Sequence, residues 1–425
     1  MGGAQDVGNE RLLIVSHFPY NTRGTSEPIP DTPLPTDNSM SSVALTENQG
    51  NASISVVDFA PFLDGSNKQG VADEILSSFK RVGFVYLLNH GLPQDRIAKM
   101  FAVSKEFFAQ PTEVKELAPH PPSGTHHRGY SAPGREKIVQ PTFIGEGVNR
   151  PTVPDVKEHF ECGREDNTAK PNIWLPDGIL PGFKETCLEF FWLCHEVEMN
   201  VLRSLAVGFG LAEDYFTQYH GKADNQLRLL HYPRYQGVFL FLGDTFYLRL
   251  PNSVPAEAMR NERIGRITAH SDYASLTLLL QDDVGGLEIE DPNVAGLFRP
   301  APPIPGALIV NVADFMMRWS NDTIRSTIHR VRAPQACETP DGMIPERYSI
   351  PYVRPNPPWI IFTPTSSHLP AVLQRSKSPL HALSPAFDRE TVLDCIPGTW
   401  DQENPKKYEP ISAGEYTRKR LAAAY

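Results

Sequence analysis

The sequence predicts an α+β fold with a mainly β core, a sandwich or jelly-roll barrel in the second half of the chain, flanked by helices from the first half. Three observations carry this. Before Leu211 apolar residues recur at helical spacing. From Leu227 onward they fall in short runs separated by Gly, Pro, Asn and Asp, with no helical stretch between them. Proline, at 40 of 425 residues, is about twice as frequent as usual and favours loops and short strands over a helical bundle.

Residues 1–53 are polar and rich in turn formers, with Pro19, Pro28, Pro30, Pro33 and Pro35 and no periodicity, so a disordered tail is expected there. A β-type run covers Ile54 to Phe59 and ends before Pro61. Val71, Ile75, Phe79 and Val82 then mark a helix that stops at Gly83. Phe84 to Leu88 reads as a buried strand ending in the turn Asn89-His90-Gly91, where His90 is expected to pack or hydrogen-bond and not to bind a ligand. Ile97, Phe101 and Phe108 mark a second helix before Pro111. From His120 to Lys170 long loops with short strands are expected, with Arg128 to Ser131 and Lys157 to Phe160 bordering a pocket. Cys187, Phe190, Phe191, Cys194, Val197, Val201 and Leu205 form the apolar face of a long helix over Phe183 to Leu211.

Strands are expected at Leu227–Tyr232, Ile264–His270, Ser275–Gln281, Leu287–Glu290, Ala307–Val312, Arg347–Val353 and Trp359–Phe362. The chain then turns polar and closes with a helix over Ser412–Ala424. The expected organisation is a mixed region at 54–211, a β core at 212–370 and a C-terminal loop and helix at 371–425.

A net charge of -10 without a cluster of Lys and Arg argues against a nucleic-acid partner. No apolar run approaches the ~20 residues of a membrane span, and no secretory leader pattern opens the chain. The five cysteines are odd in number and lack CxxC spacing, which suits reduced, buried thiols in a cytoplasmic protein.

His270 and Asp272 stand two residues apart at the end of an expected strand, so alternation sends an imidazole and a carboxylate to one face. His329 comes from a later strand. Two imidazoles and a carboxylate on one side of a metal suit divalent iron with open neighbouring positions, and zinc fits the same set. An isolated His-x-Asp is most often a pair of solvated side chains on the protein surface. Arg347 and Ser349 repeat the two-residue spacing, and a guanidinium facing the interior without an evident acidic partner points to a carboxylate ligand.

These residues resemble the iron(II)- and 2-oxoglutarate-dependent dioxygenases of the isopenicillin N synthase-like family. The resemblance rests on Arg81 to Tyr86 (RVGFVY) with Asn89-His90-Gly91, and on His270-Ser271-Asp272 followed by Leu276 to Asp282 (LTLLLQD). It also rests on Gly285-Gly286-Leu287, Pro305-Gly306-Ala307 through Asn311, Ser326 to Val331 (STIHRV) and Arg347-Tyr348-Ser349, and spans Ser55 to Thr363. It implies a distorted double-stranded β-helix, with iron on His270, Asp272 and His329 and no catalytic residue beyond the metal site. Arg347 and Ser349 would hold the far carboxylate of 2-oxoglutarate, and Tyr232 would complete that site. The cofactors implied are Fe(II), 2-oxoglutarate and O2; the implied reaction is hydroxylation, desaturation or rearrangement of a small secondary metabolite. Two alternatives are an oxidase that uses the same iron without 2-oxoglutarate, with Arg347 and Ser349 on the substrate's own carboxylate, and a catalytically silent jelly-roll binding protein.

The chain departs from the family pattern at three places. Leu230 stands where many members have asparagine, and Ala313 replaces a glycine before Asp314. An unusual insert at 235–252, running Tyr235 to Leu250 at its centre, is either a hairpin extension or translated intron sequence. The second is favoured, because family-like text resumes at Val254-Pro255-Ala256-Glu257.

Overall fold

The computed structural model describes residues 53–121, 127–133, 156–234, 266–272, 275–333, 344–353 and 392–412. The N-terminal tail, the 235–252 insert, the strand expected at Trp359–Phe362 and the C-terminal helix fall outside these residues, apart from Ser53 and Ser412.

Five helices come from the first half: α1 (Ala60–Leu63), α2 (Lys68–Arg81), α3 (Gln94–Phe108), α4 (Thr112–Lys115) and α5 (Phe183–Gly208). The Asn67 side chain caps α2 by accepting from the Gly70 N–H. Gly83 ends the turn after it at φ 72°, and a Cβ there would lie 2.3 Å from the Arg325 carbonyl oxygen, so both conformation and space demand glycine.

The strands are β1 (Ser55–Asp58), β2 (Phe84–Leu88), β3 (Gly129–Ser131), β4 (Glu158–Cys162), β5 (Gln226–Tyr232) and β6 (Ile267–His270). They continue with β7 (Leu276–Gln281), β8 (Leu287–Glu290), β9 (Phe298–Pro300), β10 (Leu308–Val312), β11 (His329–Val331) and β12 (Arg347–Val353). Eight form one sheet in the order β1-β2-β10-β7-β12-β5-β4-β3, and four form a smaller sheet, β6-β11-β8-β9. Among the described strand pairs only β1–β2 is parallel, which its connection through α1 and α2 makes possible.

Alternation along the large sheet separates two apolar clusters. Val85, Leu87, Leu227, Leu229, Leu276, Leu278, Leu280, Val310, Ile350 and Tyr352 pack with Ile75, Phe79, Phe107, Phe190 and Phe191 of α2, α3 and α5. Residues of opposite parity, Phe84, Tyr86, Leu230, Tyr232 and Ile309, meet Leu287, Ile289 and Val331 of the small sheet. The sheet therefore has a helix face and an inner face. Cys162, Cys187, Cys194 and Cys395 are buried free thiols, as the sequence leads one to expect of them.

Several short elements were not legible in the sequence. α1 and α4 have four residues each, β9 has three, and a helix α6 (Asp314–Trp319) has six, too few to show a period. A two-residue bridge, Val392–Leu393 with Ile411–Ser412, closes a C-terminal segment. That segment is tied to Asn321, whose amide donates to Thr399 O and Pro405 O at 3.2 and 3.3 Å.

On the helix side, Glu158 sits in a buried polar network. Its Oε2 accepts from Lys115 Nζ at 2.8 Å and Tyr130 OH at 2.6 Å, and its Oε1 lies 2.7 Å from His231 Nδ1. Burial alone would raise the Glu158 carboxyl, but His231, Lys115 and Tyr130 hold it below the ordinary range. Burial alone would lower His231, but Glu158 and Glu346 raise it. The Glu158 contribution to stability is complete above the ordinary glutamate value and is lost as pH falls through the lowered one. The His231 contribution is complete below the ordinary imidazole value and is lost as pH rises through the raised one. Urea unfolding of Glu158→Gln should show a loss of about 3–5 kcal/mol near neutral pH, shrinking toward acid and alkaline conditions. A loss that does not vary with pH would show that charge is not the cause.

Candidate metal and co-substrate site

β6 ends at His270, and the chain passes through Ser271 and Asp272 on its way to β7. His329 opens β11 and is the register partner of His270 across the antiparallel β6–β11 pair, with ring centroids 4.3 Å apart. Asp272 Oδ1 lies 3.7 Å from His270 Nε2 and 3.8 Å from His329 Nε2. One donor atom from each of the three residues lies within 4.8 Å of the others. The structure thus brings together the three residues singled out as metal ligands in the sequence.

Each donor is oriented by a neighbour. His270 Nδ1 lies 2.8 Å from Thr268 O and His329 Nδ1 lies 3.1 Å from Thr327 O. A carbonyl only accepts, so each Nδ1 carries the proton and each Nε2 keeps a lone pair for a cation. Asp272 Oδ2 accepts from Thr277 Oγ1 at 2.6 Å and Asn311 Nδ2 at 2.9 Å, which leaves Oδ1 turned to the histidines. The Asp314 N–H at the start of α6 donates to Asp272 O at 2.8 Å, fixing the backbone as well. Phe84 packs edge-on against His329 with centroids 5.5 Å apart.

Burial and the neighbouring His329 push His270 down to about 4. Burial alone would raise Asp272, but both imidazoles, Asn311 and Thr277 hold it below the ordinary aspartate range. At neutral pH His270 is therefore a neutral imidazole and Asp272 a carboxylate, the forms in which these two groups bind a metal. Three donors on one side fit divalent iron, with zinc as the other cation this chemistry admits.

Arg347 opens β12, and its register partner is Tyr232 at the end of β5. Its guanidinium lies 5.0 Å from the Tyr232 ring centroid. NH1 donates to Ser349 Oγ at 3.0 Å and NH2 to Gln281 Oε1 at 3.1 Å. Only 1% of Arg347 is exposed, yet its Nε and the Tyr232 hydroxyl have no hydrogen-bond partner among the described residues. The nearby Asp282 carboxylate instead accepts from the Tyr348 N–H. A buried guanidinium facing a phenol, both with hydrogen-bonding capacity to spare, fits an anionic ligand with a planar oxygen pair. Leu230 is buried beside Ser349, in register, and contributes only apolar surface there.

Thr277, Gln281 and Asn311 were not singled out from the sequence. The available signal was parity: in Leu276 to Gln281 and Leu308 to Val312 the polar residues all fall on the inner face of otherwise apolar strands. His90 is buried in its turn and accepts from the Leu92 N–H at 3.2 Å, the packing and hydrogen-bonding role expected of it.

Residues 225–354, which contain all six of these site residues, match the 2OG-Fe(II) oxygenase superfamily. Residues 54–177 match the N-terminal region described as non-haem dioxygenase in morphine synthesis. The chain is 35% identical over 376 residues to the 2-oxoglutarate-Fe(II) type oxidoreductase ppzD of Metarhizium rileyi, covering 88% of this chain and 91% of that protein. The chain belongs to the 2-oxoglutarate and iron(II)-dependent oxygenase superfamily. The oxygenase is also 35% identical over 299 residues to the proline hydroxylase buaE of Petromyces alliaceus, covering 70% of this chain and 85% of that one. A solved structure of a full-length Neurospora crassa protein in complex with alpha-KG and thymine superposes with a TM-score of 0.68 at 34% identity, covering 89% and 99% of the two chains. The fold is accordingly the jelly roll of the two alternatives, and the enzyme is an oxidoreductase that uses iron(II), 2-oxoglutarate and O2 on a small molecule.

Removing a residue that orients a metal ligand commonly costs 10–100-fold in metal affinity. Anaerobic Fe(II) titration of Asn311→Ala should show weakening of about that size, and His270→Ala should lose binding altogether. Unchanged affinity in both would place the iron elsewhere.

Proposed function

We propose that His270, Asp272 and His329 hold Fe(II), and that Arg347, Ser349 and Tyr232 receive the distal carboxylate of 2-oxoglutarate, in a cytoplasmic dioxygenase of fungal-type secondary metabolism. The observation that carries this reading is the buried Arg347 with an unsatisfied Nε beside a ready set of three metal donors. When bound, iron and 2-oxoglutarate supply oxygen activation, with succinate and carbon dioxide as co-products.

The chain's own residues hold and orient. Ser349 and Gln281 keep the guanidinium in plane, and the Tyr232 ring covers one of its faces. Thr277 and Asn311 restrict Asp272 to one donor oxygen, which keeps other positions on the metal open. Phe84, Tyr86 and Ile309 supply a dry wall behind the site. Hydroxylation is the default outcome, and desaturation or rearrangement follows where the pocket holds the substrate radical away from recombination.

The fungal relatives, and the polar ring compound thymine in the Neurospora crassa structure, support a small organic substrate. The net charge of -10 supports a reading without nucleic acid. Among the described residues no helix is long and apolar enough to cross a membrane, and the reading includes no membrane partner.

The test is to load the protein anaerobically with Fe(II) and 2-oxoglutarate, admit oxygen and assay succinate with and without candidate substrates. Succinate release stimulated by a substrate is expected, and Arg347→Ala should raise the 2-oxoglutarate requirement at least about tenfold, as loss of a charged bidentate contact does. Iron binding without succinate under any condition would favour the oxidase that dispenses with 2-oxoglutarate.

A further inference from the structure

A second set of metal-type donors lies toward the far edge of the large sheet. On β4, Glu161 is the register partner of Gly129 on β3 and of Arg228 on β5. The next pair of the same parity is His159 with Leu230, and Leu230 belongs to the inner cluster, so Glu161 faces inward too. In the sheet order β7-β12-β5-β4, Glu161 stands three strands from Thr277, about 14 Å at ~4.8 Å per strand. An ion on His270, Asp272 and His329 is out of its reach.

Three donors converge there from three segments. His120 lies beyond α4, on a stretch tied to β3 by its own N–H, which donates to Tyr130 O at 2.9 Å. His127 leads into β3, and its carbonyl accepts from Arg128 NH1 at 2.7 Å and Gln226 Nε2 at 3.4 Å. Glu161 Oε2 faces His127 Nδ1 at 3.7 Å and His120 Nε2 at 3.9 Å, and one donor atom from each residue lies within 4.8 Å of the others. The corresponding separations around Asp272 are 3.7 and 3.8 Å. Such distances are too long for hydrogen bonds. Two donors that each lie ~2.1 Å from one zinc ion can stand as much as about 4.2 Å apart, so the gap has the size of a cation.

The donors are also presented in the form a metal needs. His120 Nδ1 lies 2.8 Å from Pro121 O, and a carbonyl only accepts, so Nδ1 carries the proton and the neutral ring turns its Nε2 lone pair toward Glu161. Arg228 Nε lies 2.6 Å from Glu161 Oε1, which leaves Oε2 as the single donor, as Thr277 and Asn311 leave Oδ1 of Asp272. The Glu161 side chain is 1% exposed and those of His120 and His127 are 10% and 15%, so the carboxylate is a fixed floor and the imidazoles border an entry path. The Arg228 charge opposes a cation and makes this set the weaker of the two. Divalent iron binds such donors less tightly than zinc does, so the weaker set selects zinc.

We propose that His120, His127 and Glu161 form a second metal site, structural and for zinc, which fastens the stretch between α4 and β3 to the inner face of the large sheet.

The test is equilibrium dialysis of the metal-free full chain against zinc, with bound metal counted per chain. Two equivalents are expected in the wild type at sub-millimolar free zinc, and one in His270→Ala. Glu161→Gln and His120→Ala should each keep one equivalent, and either combined with His270→Ala should bind none. In His270→Ala, zinc should also raise the urea midpoint of unfolding, and adding Glu161→Gln should remove that rise, because an ion stabilises only a fold that binds it. No zinc bound by His270→Ala, or an equivalent there that survives both Glu161→Gln and His120→Ala, would overturn the site. A single equivalent in the wild type, indifferent to His270→Ala and lost in Glu161→Gln, would uphold it and count against the iron reading instead.

Discussion

The two-residue pleat of the large sheet is the constraint on which the rest depends. One parity of β2, β10, β7, β12 and β5 is apolar or aromatic, His231 apart, and packs against α2, α3 and α5. That burial leaves the other parity available for polar residues, which a single-layer surface would expose to water and a second helix layer would exclude. Thr277, Gln281, Asn311, Arg347 and Ser349 all occupy it, on the same face whose apolar residues meet Leu287, Ile289 and Val331 of the smaller sheet. A one-residue slip in any of these strands would exchange the two sets, placing Arg347 among phenylalanines and leucines among the proposed metal donors.

Asp272 shows how this arrangement becomes chemistry. A free carboxylate can chelate through both oxygens and take up two positions on a metal. Here one oxygen is occupied by Thr277 from β7 and Asn311 from β10, so the residue offers a single donor. The histidines reach the same end through backbone carbonyls two residues earlier. Polar side chains of the large sheet and backbone carbonyls beside the histidines therefore turn one atom of each proposed ligand toward the others.

Much of this was legible in the sequence, for identifiable reasons. β2, β8 and β12 have the expected bounds because each is a continuous apolar or alternating run closed by turn residues. His270, Asp272 and His329 stood out because an imidazole and a carboxylate at strand spacing, with a later histidine, gained specificity from Arg347 and Ser349 and from the family resemblance. Arg347 stood out because an interior guanidinium needs a partner. What could not be read was the assignment of strands to sheets: β6 pairs with β11 and not with its neighbour β7, and nothing local to Thr268 or His270 encodes that choice. Thr277, Asn311 and Gln281 were invisible for a related reason, since their roles depend on which strands become neighbours. α6 escaped because six residues carry no period.

The three proposed metal donors are held by two different sheets. His270 and His329 belong to the small sheet, while Asp272 is moored to the large one through Thr277 and Asn311. A cation shared by them would fasten the two layers of the roll together like a rivet. Iron would then act on the mechanical integrity of the protein as well as on its chemistry, since a ligand bound only by the folded state stabilises that state in proportion to its occupancy. An iron-starved cell would hold a looser form of this enzyme, more open to proteolysis along the seam between the sheets, so that metal supply would govern its abundance as well as its turnover.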